Sequence, residues 1–136
     1  MQNINKQKRV VSIQDISCFG KCSETVALPI ISAAGIETVI LPTAILSTHT
    51  GGFKNYTFLS LESQLDPISD HWKSLNLQFD GIITGYVGSI EMINKLTAII
   101  KKLSNSDTLV MSDPAMADNG VLYPGFDLEY VKAMNV

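Results

Sequence analysis

Two carboxylates that follow a short apolar run are the clearest candidates for metal or phosphate chemistry in this sequence. Asp113 and Asp118 are five residues apart and lie just beyond the predicted strand 108–111. Carboxylate oxygens are the ligands that hard cations such as Mg2+ prefer, often together with phosphate oxygens. The alternative is that both acids are turn and cap residues, a common use of Asp after a strand. The spacing favours neither interpretation over the other.

A second candidate is the segment 42–56, which is rich in Thr, Ser, His and Gly. Its residues 47–52 offer hydroxyls and backbone amides. Connections of this length in a compact domain are usually functional. The segment can orient a small polar ligand or close over it, or it can be a flexible loop.

Cys18 and Cys22 are the only thiols, and their spacing is not the C-x2-C of redox or zinc motifs. A thiol paired with His49 would make a nucleophile and its base, but free cysteines are more often small core residues. His71 lies on a polar helix and is interpreted as a solvated or capping residue. A zinc site would need scattered ligands to converge, so none is expected.

The residues Gly20-Lys21-Cys22-Ser23 resemble the end of a phosphate-binding P-loop. The full motif requires a glycine at position 15 and Ser or Thr at position 22, which are Asp and Cys here. The P-loop is therefore rejected. Small residues that open a helix can still present backbone N–H groups to a ligand, or they can simply fit a tight turn.

The elements that position these residues alternate between strand and helix. Apolar and β-branched runs predict strands over 9–13, 36–41, 81–84 and 108–111. Helical periodicity predicts helices over 23–34, from 66 onward, over 89–103 and over 127–134. This order is typical of a parallel sheet covered by helices. Because right-handed crossovers bring the carboxyl ends of the strands to one rim, ligands are expected there.

Composition supports one globular α/β domain over residues 1–136. The chain is 46% hydrophobic and 17% charged, which suits a sheet buried on both faces. A net charge of -3 argues against a surface that coats nucleic acid. Pro29, Gly35 and Pro42 divide the most apolar stretch, so no membrane span is expected. The polar start, 1–9, predicts no signal peptide, and a cytoplasmic location is expected.

Four motifs in order resemble the pyridoxal kinase group of the ribokinase-like superfamily. The matching residues are Ser12-Ile13-Gln14-Asp15, Ser47-Thr48-His49-Thr50-Gly51, Thr84-Gly85-Tyr86 and Asp113-Pro114-Ala115-Met116-Ala117-Asp118. The resemblance covers nearly the whole chain and implies a ribokinase-like, three-layer α/β/α fold with a parallel sheet, apparently truncated. The hydroxymethylpyrimidine kinases of thiamine synthesis are the next most similar group.

The resemblance implies transfer of the ATP γ-phosphate to the 5′-hydroxymethyl of pyridoxal, pyridoxine or pyridoxamine. It implies ATP, Mg2+ and a monovalent cation such as K+ as cofactors, and a homodimer. Its substrate-binding positions correspond to Asp15, Cys22, Thr50, Gly51 and Tyr86. Asp15 stands where serine is often found, and its charge would favour an aminomethyl substituent or a protonated pyridine nitrogen.

The same resemblance assigns Asp113 and Asp118 to the ATP phosphates and cations. Ala115 and Ala117 replace the more usual valine and glycine between them. The family's glycine-rich anion hole, with its catalytic aspartate, has no counterpart in residues 1–136. No catalytic residue is therefore assigned in this chain, which is expected to be inactive alone. It is either the amino-terminal half of the kinase or a non-catalytic fragment for substrate binding or assembly.

Overall fold

The computed structural model describes residues 6–123 and 125–135. Residues 1–5 of the polar start, on which the expectation of no signal peptide partly depends, lie outside the described part. The elements run β1 (Arg9–Ile13), β2 (Ile16–Ser17), α1 (Glu24–Ala33), β3 (Glu37–Ile40), β4 (Ala44–Leu46), β5 (Phe58–Ser60), α2 (Glu62–Ser74), β6 (Gly81–Thr84), α3 (Ile90–Leu103), β7 (Leu109–Ser112), β8 (Ala117–Asp118), β9 (Val121–Leu122) and α4 (Leu128–Ala133).

The four predicted strands form one parallel sheet with the order β3-β1-β6-β7. Val11 of β1 pairs with Val39 on one side and Ile82 on the other, and Ile82 in turn pairs with Val110. The parallel α/β fold expected from the sequence is confirmed. All four carboxyl ends lie on one rim, as the crossover rule requires.

Helices α2 and α3 cover one face of the sheet and form the main core with it. Val11, Ile13 and Ile82 point to this side and are at most 1% exposed, as is Ile99 of α3. Each fully buried aliphatic side chain of this kind contributes roughly 1.5–3 kcal/mol. The predicted helix over 89–103 is confirmed, and the Ser89 hydroxyl caps it by accepting a hydrogen bond from a backbone N–H of the first turn.

Helix α1 packs on β1 and β3 on the opposite face, which completes three layers. This contact buries few residues of the helix. The helical spacing of Val26, Ile30 and Ala33 in the sequence predicts that they share one apolar face, but Ile30 is 64% exposed. The only buried residue of this helix is Glu24.

The prediction that α2 begins at Asp66-Pro67 is wrong, because the helix begins at Glu62. Leu65 is fully buried, and its burial requires a helical turn before Pro67. Pro67 is the sixth residue of the helix and removes one intrahelical hydrogen bond.

Two short antiparallel pairs lie where only loops were expected. The segment 42–56 contributes β4, which pairs with β5 and, in parallel, with β2. Later, β8 and β9 form a hairpin through Asn119 and Gly120, with φ values of 50° and 78°. Two positive φ values at Asn-Gly are typical of a tight hairpin turn. No helix among the described residues is long and apolar enough to cross a membrane.

Candidate functional site

Asp15, at the carboxyl end of β1, fastens the turn that leads into α1. Its two carboxylate oxygens accept hydrogen bonds from the Ser17 hydroxyl at 3.0 Å and the Ser23 hydroxyl at 2.6 Å. Its carbonyl oxygen accepts the backbone N–H of Glu24 at 3.1 Å. The carboxylate is thus occupied within the protein, and its first role is to hold this turn.

The turn itself has an unusual backbone, and it carries Cys22. Lys21 and Ser23 have φ values of 45° and 53°, on either side of this cysteine. Positive φ in residues other than glycine is strained and occurs often at functional sites. The Cys22 thiol is exposed and its sulfur lies 3.7 Å from the Ser23 hydroxyl oxygen, while its backbone N–H donates to the Thr25 hydroxyl at 3.1 Å.

The loop that carries Thr50 and Gly51 docks on this turn through His49. A Cβ on Gly20 would lie 2.0 Å from Cδ2 of His49, so only glycine allows the ring to pack there. The Gly51 N–H donates to Nδ1 of His49 at 3.1 Å, and the His49 ring lies 4.9 Å from that of Phe53. His49 thus has a packing role, and both Thr50 and Gly51 remain exposed.

Tyr86 lies at the end of β6, beside the turn that Asp15 holds. Its side chain is 42% exposed, and its ring stacks on Phe126 with centroids 5.6 Å apart. Burial raises the pKa of Tyr86, and the nearby charges of Tyr56 and Asp15 raise it further. Because β1 and β6 are neighbours in the sheet, the two predicted substrate residues Asp15 and Tyr86 share one part of the rim.

Tyr86 is the exposed end of an aromatic row that the sequence analysis missed. Phe126 stacks on Tyr130 with centroids 3.8 Å apart, and Tyr123 lies beside Tyr86 at 6.5 Å. The Tyr130 hydroxyl donates to the carbonyl of Val87, and burial raises the pKa of Tyr130 to about 12. The spacing of aromatic residues at 123, 126 and 130 was the available signal, since it places them near one another around a helix start.

Asp113 and Asp118 converge on Tyr123. Asp113 extends β7, since its N–H donates to the carbonyl of Thr84 at 3.0 Å. Burial is the main cause that raises the pKa of Tyr123. The charge of Asp118 and its hydrogen bond raise this pKa further, as do the charges of Asp113 and Cys22. The structure therefore brings together two predicted phosphate-side acids and one predicted substrate residue.

The donor chemistry here fits a metal–phosphate complex better than a free ion. No group of three or more His, Cys, Asp or Glu side chains that could hold a metal occurs in residues 6–123 and 125–135. Mg2+ is usually bound by one or two carboxylates plus substrate phosphates and water. Asp113 and Asp118 supply two such carboxylates, both exposed to solvent.

Two further polar residues lie beneath the site. Glu24 is only 2% exposed, and neither of its carboxylate oxygens has a hydrogen-bond partner among the described residues. Burial raises its pKa from 4.5 to about 7. The Gln14 amide donates to the Ser12 hydroxyl at 3.0 Å and fills the space above Gly85, where a Cβ would lie 2.6 Å from its Oε1. Nothing in the sequence pattern marked Glu24 as buried.

Comparisons with known proteins show which proteins this chain is similar to. No protein-family model matches the sequence. The pyridoxal kinase of Arabidopsis thaliana is 28% identical over 127 residues, which are 90% of this chain and 41% of that protein. The pyridoxal kinase of Dictyostelium discoideum is 27% identical, with 90% of this chain and 42% of its own covered. The chain thus spans about two-fifths of the length of the curated relatives it matches.

Solved structures match over nearly all of this chain. A Bacteroides thetaiotaomicron protein described as a phosphomethylpyrimidine kinase is 41% identical with a TM-score of 0.91, covering 98% of this chain and 46% of its own. An orthorhombic crystal form from that source contains pyridoxal. Pyridoxal kinase from Lactobacillus plantarum is 35% identical with a TM-score of 0.86, and the match covers 95% of this chain and 46% of that protein. The pyridoxal kinase of Leishmania donovani in complex with ADP and pyridoxamine shares the fold at 21% identity and a TM-score of 0.82. That match covers 94% of this chain and 46% of the enzyme.

Proposed function

This chain is a partial member of the pyridoxal kinase family, and from that premise we propose that it forms the substrate-side part of an ATP-dependent kinase. The proposed reaction transfers the γ-phosphate of ATP to the 5′-hydroxymethyl group of pyridoxal, pyridoxine or pyridoxamine. Phosphoryl transfer depends on positioning and on electrostatic stabilisation of the transferring group. The chain spans less than half of its relatives, so we propose that it binds the vitamer and does not turn it over alone.

The observation that carries this proposal is the arrangement at the rim of β1 and β6. Tyr86 presents a half-exposed ring whose inner face is already stacked on Phe126. A pyridine ring can extend that stack, which adds about 0.5–1.5 kcal/mol beyond area burial. Asp15 lies close enough that its charge acts on Tyr86, and Cys22 belongs to the strained turn that Asp15 holds. Thr50 and Gly51 would then close over the vitamer from the loop docked by His49.

The phosphate side of the proposal rests on Asp113 and Asp118. They would hold the cations that accompany ATP, and both lie close enough to Tyr123 that their charges raise the pKa of its hydroxyl. ATP use is supported by the ADP complex of the Leishmania donovani enzyme, which shares the fold. Mg2+, a monovalent cation such as K+, a homodimer and a cytoplasmic location are the finer parts of the proposal.

A binding experiment tests the substrate assignment without requiring turnover. Pyridoxine is the best probe for calorimetry, because it lacks the aldehyde that lysines capture. We expect the chain to bind pyridoxine, and Tyr86→Ala to weaken binding about tenfold, which corresponds to about 1.4 kcal/mol. Leu75→Ala is the matched control, since Leu75 is similarly exposed, at 55%, but lies at the far end of α2. Equal affinity of wild type and Tyr86→Ala would remove the stacking argument.

The second candidate is a hydroxymethylpyrimidine (phosphate) kinase, with which the description of the Bacteroides thetaiotaomicron protein as a phosphomethylpyrimidine kinase is compatible. Its substrate also has a ring that can stack on Tyr86 and a hydroxymethyl that accepts the phosphate. The same titration discriminates the two candidates. Binding of hydroxymethylpyrimidine ten times tighter than pyridoxine would replace the vitamin B6 assignment. Binding of neither compound would leave the chain as an assembly fragment.

A further inference from the structure

Glu24 lies at the buried end of a chain of polar side chains that runs beneath the rim of β1 and β6. It is the first residue of α1 and is 2% exposed, and Ser12 of the interior strand β1 is fully buried. Ser12 lies between Val11 and Ile13, which point to the main core. Because side chains alternate along a strand, Ser12 points to the opposite face, where α1 packs.

Ser12 connects Glu24 to Gln14. The Ser12 hydroxyl and the Gln14 backbone are near enough to favour the charged form of Glu24, although neither completes a hydrogen bond to its carboxylate. The same hydroxyl oxygen accepts the side-chain amide of Gln14 at 3.0 Å. A hydroxyl has one proton and two acceptor lone pairs, so Ser12 can serve both neighbours at once.

Gln14 extends this chain to the rim. Its side chain fills the space above Gly85, where a Cβ would lie 2.6 Å from Oε1 of Gln14. Gly85 immediately precedes Tyr86, whose half-exposed ring is the proposed stacking surface for the vitamer. A displacement of Gln14 therefore reaches the segment that positions Tyr86.

Asp15 is the charge that faces Glu24, and it raises the pKa of that residue further. Helix α1 packs on β1, β2 and β3. The charged residues of these strands, Arg9 and Glu37, lie at the opposite rim and pair with each other at 2.7 Å. The turn before α1 adds Lys21 and the thiol beside it, both of which are exposed.

A proton on Glu24 favours the whole arrangement. A protonated carboxyl offers a donor and an acceptor, whereas a carboxylate is acceptor-only and repels a second carboxylate. The N–H of Glu24 donates to the carbonyl of Asp15, so the two acids share one turn. Ionised Glu24 therefore pushes against Asp15 and draws the Ser12 hydroxyl away from Gln14.

We infer that Glu24 is a positioning residue for the vitamer site: its proton keeps Gln14, through Ser12, in the place that supports Tyr86, and loss of the proton weakens vitamer binding. The inference rests on the proposed function for the identity of the ligand. Glu24 itself does not touch the vitamer, because its carboxylate oxygens are buried.

The size of the effect follows from the protonated fraction. Burial raises the pKa of Glu24 to about 7, so about one-tenth of the molecules keep the proton at pH 8. A ligand that binds only one form loses that fraction in apparent affinity, so the largest expected effect at pH 8 is about tenfold.

Calorimetry with pyridoxine at pH 5 and pH 8 tests the inference. Pyridoxine has the same protonation state for every variant at a given pH, so the ratio of two affinities isolates the protein. We expect wild type and Glu24→Gln to bind equally at pH 5, and Glu24→Gln to bind about three- to tenfold tighter at pH 8. Glu91→Gln, at an exposed acid of α3, is the control and should match wild type at both pH values.

Glu24→Leu separates positioning from stability. It should bind pyridoxine about threefold more weakly than wild type at pH 5, because leucine offers no hydrogen bond to Ser12. A residue that only stabilised the fold would change the urea midpoint and leave the affinity of the folded chain unchanged. Circular dichroism confirms that each variant is folded under the conditions of the titration.

A second measurement needs no vitamer. In wild type, the NMR signals of the Gln14 side-chain amide and the Tyr86 backbone amide should shift with pH, with a midpoint near the Glu24 pKa of about 7. Glu24→Gln should remove this response at both residues. Ser12→Ala should remove it at Gln14, because the hydroxyl that connects the two residues is absent.

The two measurements distinguish failure of the inference from failure of the proposed function. Equal pyridoxine affinities of wild type and Glu24→Gln at pH 8 would overturn the inference and leave the proposed function standing. A Gln14 response that is absent from wild type, or that persists in Glu24→Gln, would also overturn it. If no variant binds pyridoxine while the Gln14 response follows Glu24 and Ser12, the proposed function is refuted and the positioning of Gln14 is supported.

Discussion

Replacing Glu24 by Gln should change how the stability of this chain depends on pH. Glu24 is the only buried residue of α1 and is 2% exposed, with no hydrogen-bond partner for either carboxylate oxygen among the described residues. Burial is the main cause that raises its pKa from 4.5 to about 7, and the charge of Asp15 adds to it. The Ser12 hydroxyl and the Gln14 backbone act in the opposite direction without offsetting burial.

The direction of the effect follows from proton binding. The unfolded chain releases the Glu24 proton near its ordinary pKa of 4.5, whereas the native chain keeps it until about pH 7. Between these values the unfolded state binds fewer protons, so stability falls as pH rises. The contribution of protonated Glu24 is complete below pH 4.5 and is lost above about pH 7. One pKa unit corresponds to about 1.4 kcal/mol, so the full loss is at most about 3.5 kcal/mol.

Urea unfolding at pH 5 and at pH 8 measures this loss. Many groups titrate over this interval, so the useful quantity is the difference between wild type and Glu24→Gln at each pH. We expect the stability of Glu24→Gln relative to wild type to be about 1–3 kcal/mol higher at pH 8 than at pH 5. Glu24→Leu should show the same pH dependence with a larger gain, because it also removes the unpartnered polar atoms.

The control is Glu91→Gln, at an exposed acid in the first turn of α3. Its difference from wild type should be nearly the same at the two pH values. If the Glu24→Gln difference is also the same at pH 5 and pH 8, Glu24 does not change protonation in this range. The argument from its burial would then be refuted.

Two other substitutions test how the site is held. Gly20→Ala should destabilise the chain by about 1–3 kcal/mol, because the φ of Gly20 is 107° and the new Cβ would lie 2.0 Å from His49. Gly35→Ala is the control for backbone strain, since Gly35 has a φ of 82° and open space around it. If urea unfolding shows equal losses of stability for the two variants, the contact with His49 has no role. Tyr130→Phe should cost about 1 kcal/mol in the same assay, because it leaves a buried carbonyl without its donor, and an unchanged midpoint would contradict this.

The parallel sheet was predictable because its strands and α3 obey local rules. The stripe of α3, its Ser89 cap and the four apolar runs depend on neighbouring residues only. The start of α2 was not predictable in this way. An Asp-Pro pair is a strong local signal for a helix start, but the burial of Leu65 against the sheet extended the helix by another turn. Tertiary packing overrode the local preference.

The candidate site was predictable in its location but not in its contacts. Strand ends placed Asp15, Tyr86 and Asp113 on one rim, and the topology required that result. The spacing of aromatic residues at 123, 126 and 130 was the available signal for the aromatic row, but the stacking through Phe126 and Tyr130 depends on contacts between a loop and α4. The strands β4 and β5 are three residues each and are flanked by polar loops, so their alternation is too short to detect.

Asp15 and Glu24 show why residue type alone does not assign a role at this rim. Both are acids at the same turn, and the N–H of Glu24 donates to the carbonyl of Asp15. Asp15 has two hydroxyl donors within 3.0 Å, so its charge is stabilised and helps to hold the turn. Glu24 is buried, and its burial outweighs what the Ser12 hydroxyl and the Gln14 backbone contribute to its charged form, so its charge opposes the same local structure. The two carboxylates therefore act in opposite directions on one turn, and the position of hydroxyl groups decides which of them stabilises it.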